Sequence, residues 1–113
     1  MSTLFEKIIA RDIPADIVYE DNTCICFRDI EPKAPTHLLL VPKKVITGIG
    51  AAQTEDANIL GHLMSTIPHI AALEGFAENG FRVVINHGAD GGQTVDHLHL
   101  HLLAGRSLTW PPG

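Results

Sequence analysis

Apolar positions along the 113-residue chain fall into a sequence of short periodic segments. Thr3-Leu4-Phe5-Glu6 has the form of a capping box and is followed by Ile8 and Ile9, which predicts a short helix over residues 3 to 10, ended before Pro14. Ile17 to Tyr19 and Cys24 to Arg28 flank the turn Glu20-Asp21-Asn22 and predict an antiparallel hairpin. After the proline-rich connection Glu31-Pro32-Lys33-Ala34-Pro35, the run from Thr36 to Val41 reads as a more fully buried strand ended by Pro42. From about Thr54 to Leu73 the apolar residues Ile59, Leu60, Leu63, Met64, Ile67, Ile70 and Leu73 recur at steps of three and four, predicting the main helix with a kink at Pro68. Phe81 to Asn86 reads as a strand, and a glycine-rich loop from Asn86 to Thr94 leads to strict alternation over His97-Leu98-His99-Leu100-His101-Leu102. Alternation of this kind predicts a last strand with the three histidines on one face and the leucines in the core. The expected class is α+β with an antiparallel sheet.

Composition narrows the function. Forty-five per cent hydrophobic residues in a chain of this length fit one compact domain, residues 1–113. A formal charge of −5, with no basic cluster larger than Lys43-Lys44, argues against duplex nucleic acid and anionic membrane as partners. Neutral donors must then hold any bound anion. There is no signal-peptide pattern at the N-terminus and no apolar run approaching the roughly 20 residues of a bilayer span, so a soluble cytoplasmic protein is expected. Cys24 and Cys26, two apart on a strand, point the same way and read as reduced core residues. The stiff, aromatic tail Trp110-Pro111-Pro112-Gly113 suggests docking, either on its own domain or on a second subunit.

Two chemistries suit the histidines. One metal cannot take all three, because on a strand the Cα atoms of His97 and His101 lie about 13.5 Å apart while zinc needs each nitrogen within about 2.1 Å. His99 with one neighbour and His37 remains a possible zinc set. Alternatively the histidines handle phosphate directly: one neutral imidazole attacks phosphorus, another donates to a phosphoryl oxygen or leaving group, and backbone N–H groups of the glycine loop cradle the other oxygens. Hydrogen bonds to the second ring nitrogens would set the tautomers.

His97-Leu98-His99-Leu100-His101-Leu102-Leu103 resembles the His-x-His-x-His-x-x signature of the histidine-triad nucleotide-binding superfamily. Phe5-Glu6-Lys7-Ile8-Ile9, Phe27-Arg28-Asp29-Ile30, Ala34-Pro35-Thr36-His37, Gly91-Gly92-Gln93 and Trp110-Pro111-Pro112-Gly113 extend the resemblance to its Hint branch. The resemblance implies an HIT-like fold, with about five antiparallel strands, one short and one long helix, and sheets joined across a homodimer. It implies hydrolysis of purine nucleoside phosphoramidates to AMP or GMP, with no metal or other cofactor. His99 would be the nucleophile and would form a nucleotidyl-histidine intermediate. His101 would bind phosphate and help protonate the leaving nitrogen, and His97, supported by His37, would orient His99. Asn86, Gly92 and Thr94 would contact phosphate or leaving group, and Asp29 the ribose hydroxyls. Leu4, Phe5, Ile8, Ile13, Phe27 and Ile30 would hold the base, and Trp110 would reach the neighbouring subunit's site. Departures from the family pattern fall at Thr94, His87 and Asp96. Other branches suggest dinucleoside polyphosphate hydrolysis or nucleotidyl transfer, and a non-catalytic nucleotide-binding regulator is a third reading.

Overall fold

The computed structural model describes residues 2–113. Its elements are helix α1 (Leu4–Ile9), strands β1 (Ile17–Glu20), β2 (Cys24–Arg28) and β3 (Thr36–Pro42), helix α2 (Ala57–Glu74), and strands β4 (Phe81–Val84) and β5 (Leu100–Ala104). The five strands form one antiparallel sheet in the order β1-β2-β3-β5-β4. No helix among the described residues is long and apolar enough to cross a membrane.

Strands β2 and β3 are buried on both faces, and that divides the core in two. Cys24, Cys26, Leu38, Leu40, Leu100 and Leu102 pack with Leu63, Ile67 and Ile70 of α2 on one face. Ile25, Phe27, Leu39 and Val41 pack with Phe5 and Ile8 of α1 on the other. Both cysteines are free and buried, and burial pushes each thiol up to about 12.

Helix α1 starts where the capping box directs. Thr3 Oγ1 accepts from Glu6 N at 3.1 Å, and Glu6 Oε1 accepts from Thr3 N at 2.9 Å. The Thr3 hydroxyl also lies 3.3 Å from His97 Nδ1, so the cap ties α1 to the histidine segment. Thr3→Ala should lower stability by about 1 kcal/mol, read as a lower urea midpoint at unchanged m-value. Helix α2 is entered through a 3₁₀ turn (Thr54–Asp56) and runs without a break through Pro68, although proline offers no N–H to the Met64 carbonyl.

Two strands are shorter than the alternation predicts. β4 ends at Val84, and Ile85 and Asn86 leave the sheet. β5 begins at Leu100, so His97 and His99 precede the strand. The register pairing Leu40 with Leu100 would bring Leu98 opposite Pro42, which has no N–H for the ladder. Leu98 N instead donates to Ile46 O at 2.6 Å.

Candidate active site

On the α1 face a cavity of about 500 Å³ opens between α1, the end of β2, β3, β5 and the glycine loop. Its lining includes His99, His101 and His37, together with Asp29, Asn86, Gly92 and Thr94. Phe5, Ile8, Ile13 and Phe27 form its apolar wall, with Leu4 and Ile30 at the mouth. Ile30 is 93% exposed and stands at the rim of the cavity. Phe5, Ile8 and Phe27 are buried and serve as core and wall together. Sequence reasoning missed Arg28, Glu31, Lys33, Leu39 and Val95, which also line the cavity.

Hydrogen bonds assign the ring protons one histidine at a time. His99 Nδ1 lies 2.7 Å from the His97 carbonyl, which can only accept, so Nδ1 carries the proton and Nε2 keeps its lone pair. The His97 ring is fully buried behind the cavity. Its Nε2 donates to Pro42 O at 2.8 Å, leaving Nδ1 to accept from the Thr3 hydroxyl. The second chain of bonds starts from Lys33 N, which donates to His37 Nδ1 at 3.0 Å. His37 Nε2 therefore carries the proton and donates to His101 Nδ1 at 2.9 Å. His101 Nε2 is left as an N–H, and it is the buried side-chain polar atom without a partner among the described residues.

The expected support of His97 by His37 is thus corrected: His37 backs His101, while Thr3 and Pro42 hold His97. His37 reaches His101 because both side chains stand on the α1 face of neighbouring strands, in the register that pairs Leu39 with His101. Phe5 packs edge-on against His99, ring centroids 4.9 Å apart, and His99 meets His101 at 5.1 Å.

Burial lowers the pKa of His37, His97 and His101, that of His101 to about 4, with His99 and His37 adding to the shift there. Between that value and the unfolded reference of about 6.5, the unfolded chain binds protons that the folded chain refuses. Stability from these groups is therefore full above the unfolded pKa and is lost as pH falls toward the folded one. The thermal midpoint should drop between pH 7.5 and pH 5, and His101→Gln should flatten that drop; a midpoint constant over the range would contradict the assignment.

Gly92 takes φ 76°, a left-handed conformation that favours glycine, at the point where the loop meets the cavity. Asp29 Oδ1 accepts from Glu31 N at 2.8 Å, while Oδ2 lies 3.5 Å from His37 Nε2 and borders the cavity. Asp29, His37 and His101 present one ligand atom each within 4.8 Å of one another, as do Asp21, Cys24 and His62 on the far side of the sheet. The first set differs from the zinc set expected from sequence, with Asp29 in place of His99. Trp110 does not line this chain's cavity; its side chain is 80% exposed, and the tail before it is tethered by Arg82 to the carbonyls of Leu108 and Thr109.

Comparison with known proteins agrees with this geometry. An uncharacterized HIT-like protein of Synechococcus elongatus is 59% identical over 98% of this chain and 96% of its own length. A 14 kDa zinc-binding protein of Zea mays is 49% identical, covering 98% of this chain and 88% of that protein. The crystal structure of a HIT family hydrolase from Legionella pneumophila superposes with a TM-score of 0.96 at 47% identity, over 99% of this chain and 100% of the other. Residues 10–108 match the HIT domain model, and with His99 and His101 on a shared cavity wall and His97 behind it the chain belongs to the HIT domain family.

Proposed function

We propose that this protein is a purine nucleoside phosphoramidate hydrolase of the Hint branch. The observation that carries the reading is a pair of neighbouring rings, centroids 5.1 Å apart, with opposite roles: His99 Nε2 keeps a lone pair and His101 Nε2 carries an N–H. His99 Nε2 attacks the α-phosphorus, the P–N bond breaks, and a nucleotidyl-His99 intermediate forms. The imidazolium so created keeps its Nδ1–H on the His97 carbonyl, whose partial negative charge stabilises it. The His101 N–H binds a non-bridging oxygen or the leaving nitrogen as negative charge develops. A proton from solvent completes the amine, and one is returned when water cleaves the intermediate to free the nucleoside monophosphate and His99. The side chains of Asn86 and Thr94 bind the remaining oxygens beside Gly92, whose N–H donates to Ala89 O at 3.1 Å and must turn from it to reach phosphate, and Asp29 accepts from the ribose hydroxyls. The apolar wall of Phe5, Ile8, Ile13 and Phe27, with Leu4 and Ile30 at its mouth, receives the base.

A homodimer in the cytoplasm belongs to the same proposal. Exposed apolar residues, Ile49, Met64 and Ile85 around one shallow depression and Phe81 and Trp110 besides, support a second copy, whose site Trp110 would reach.

A zinc-dependent reading is favoured by one observation, the donor set Asp29, His37 and His101, and by the name of the maize relative. Those residues fit zinc in number and type, and the ion would supply a Lewis acid to a phosphoryl oxygen. Its cost would be the His37–His101 hydrogen bond. The test is AMP release in EDTA from an adenosine phosphoramidate, side by side with a dinucleoside polyphosphate. Turnover of the phosphoramidate that survives EDTA is expected. Loss with EDTA would support zinc, and preference for the dinucleoside would assign another branch.

A further inference from the structure

The glycine loop that carries Gly92 and Thr94 to the cavity is fastened on its outer side, at residues the reaction does not touch. The His87 ring lies on the backbone of the segment 48–50. Gly50 N donates to His87 Nδ1 at 3.2 Å, and a Cβ on Gly48 or Gly50 would lie 2.5 Å from a ring nitrogen. Neither glycine has a positive φ, so the backbone does not require glycine at either position; a side chain there would displace the His87 ring from its seat. Gln93 adds a second fastening: its Nε2 donates to Thr47 O at 2.7 Å, and its Oε1 accepts from Gly88 N at 3.0 Å. The segment 46–50 is itself fixed, because Ile46 is buried in the core and its carbonyl accepts from Leu98, the residue between His97 and His99. One short segment thus holds both the phosphate-facing loop and the start of the triad, though no residue of 46–50 lines the cavity.

We infer that His87 is a positioning residue, whose ring, seated on Gly48 and Gly50, sets where the part of the loop carrying Gly92 and Thr94 meets the substrate phosphate. Its effect on turnover rests on the proposed reaction; its effect on the loop does not. A loop released by even a small displacement misdirects donors that must meet the transition state closely.

The test compares His87→Ala with His87→Asn, whose side-chain oxygen can accept from Gly50 N as Nδ1 does. His87→Ala should lower kcat for phosphoramidate about tenfold, the worth of one hydrogen bond of positioning, with the thermal midpoint and KM little changed. His87→Asn should restore most of the loss. Gly48→Ala should impair the native protein and do no further harm in the His87→Ala background, where the ring it would strike is gone. Amide hydrogen exchange over residues 88–94 provides a readout that needs no substrate: faster in His87→Ala, near native in His87→Asn. Native exchange in His87→Ala, or equal impairment of both His87 variants, would overturn the inference. If the native protein turned over no phosphoramidate while exchange changed as stated, the proposed reaction would fall and the positioning of the loop would stand.

Discussion

His99→Ala is expected to lower kcat/KM for an adenosine phosphoramidate by about 10⁴-fold or more, because among the described residues no other group at the cavity combines a free ring lone pair with a fixed direction. The loss should fall on chemistry and leave binding in place. AMP is held by Asp29, the glycine loop and the apolar wall in the proposed complex, so its affinity should change by no more than a few-fold in calorimetry. His99→Ala removes a ring that packs against Phe5, and a modest loss of stability is expected as well. Retained turnover in a folded variant would exclude His99 as the nucleophile.

The next largest effect is expected at His101. Removing its Nε2–H takes away a preorganised donor that requires no reorientation during the reaction, and the expected cost in kcat is about 10² to 10³-fold. The size should depend on the leaving group. An alkylamine needs stabilisation as the P–N bond breaks, whereas an arylamine leaves more readily, so the loss in His101→Ala should shrink across a series from alkyl to aryl amines. His37→Phe should show a weaker form of the same dependence: it removes the donor that keeps the proton on His101 Nε2 and leaves the His101 ring in place. A uniform loss across the amine series would assign His101 to binding alone.

Much of the fold was legible in local patterns. The capping box at Thr3 and Glu6, the hairpin around Asp21 and the helical spacing from Ile59 to Ile70 are all encoded within a few residues, and each element forms close to where its pattern begins and ends. The last strand is shorter than its alternation, because alternation reports which way side chains face and carries no information on whether the partner strand can continue the ladder. Pro42, more than fifty residues away, decides that.

The candidate site divides in the same way. The alternation places His99 and His101 on one face and the glycine run places backbone beside them, whereas the choice of Gly92 within that run rests on the family resemblance alone. The partner of His37 did not follow from the sequence, since a bond from residue 37 to residue 101 depends on the β3–β5 register. Lys33 contributes through its backbone N–H, a group every residue but proline possesses, so side-chain identity could not mark it. Thr3 was recognised as a cap, and its bond to His97 became visible only with α1 packed on the sheet. Gly48 and Gly50 carry no local signal of their part, because the His87 ring that lies on them comes from the far side of helix α2 and strand β4 in sequence.

The most direct measurement is mass spectrometry of the protein quenched during turnover of a slowly hydrolysed adenosine phosphoramidate, in the presence of EDTA. The proposed mechanism predicts a species heavier by one adenylyl group, with the added mass on the peptide containing His99 and absent from His99→Ala. AMP production with no protein-bound adenylate at any quench time, or adenylate carried on another residue, would contradict attack by His99.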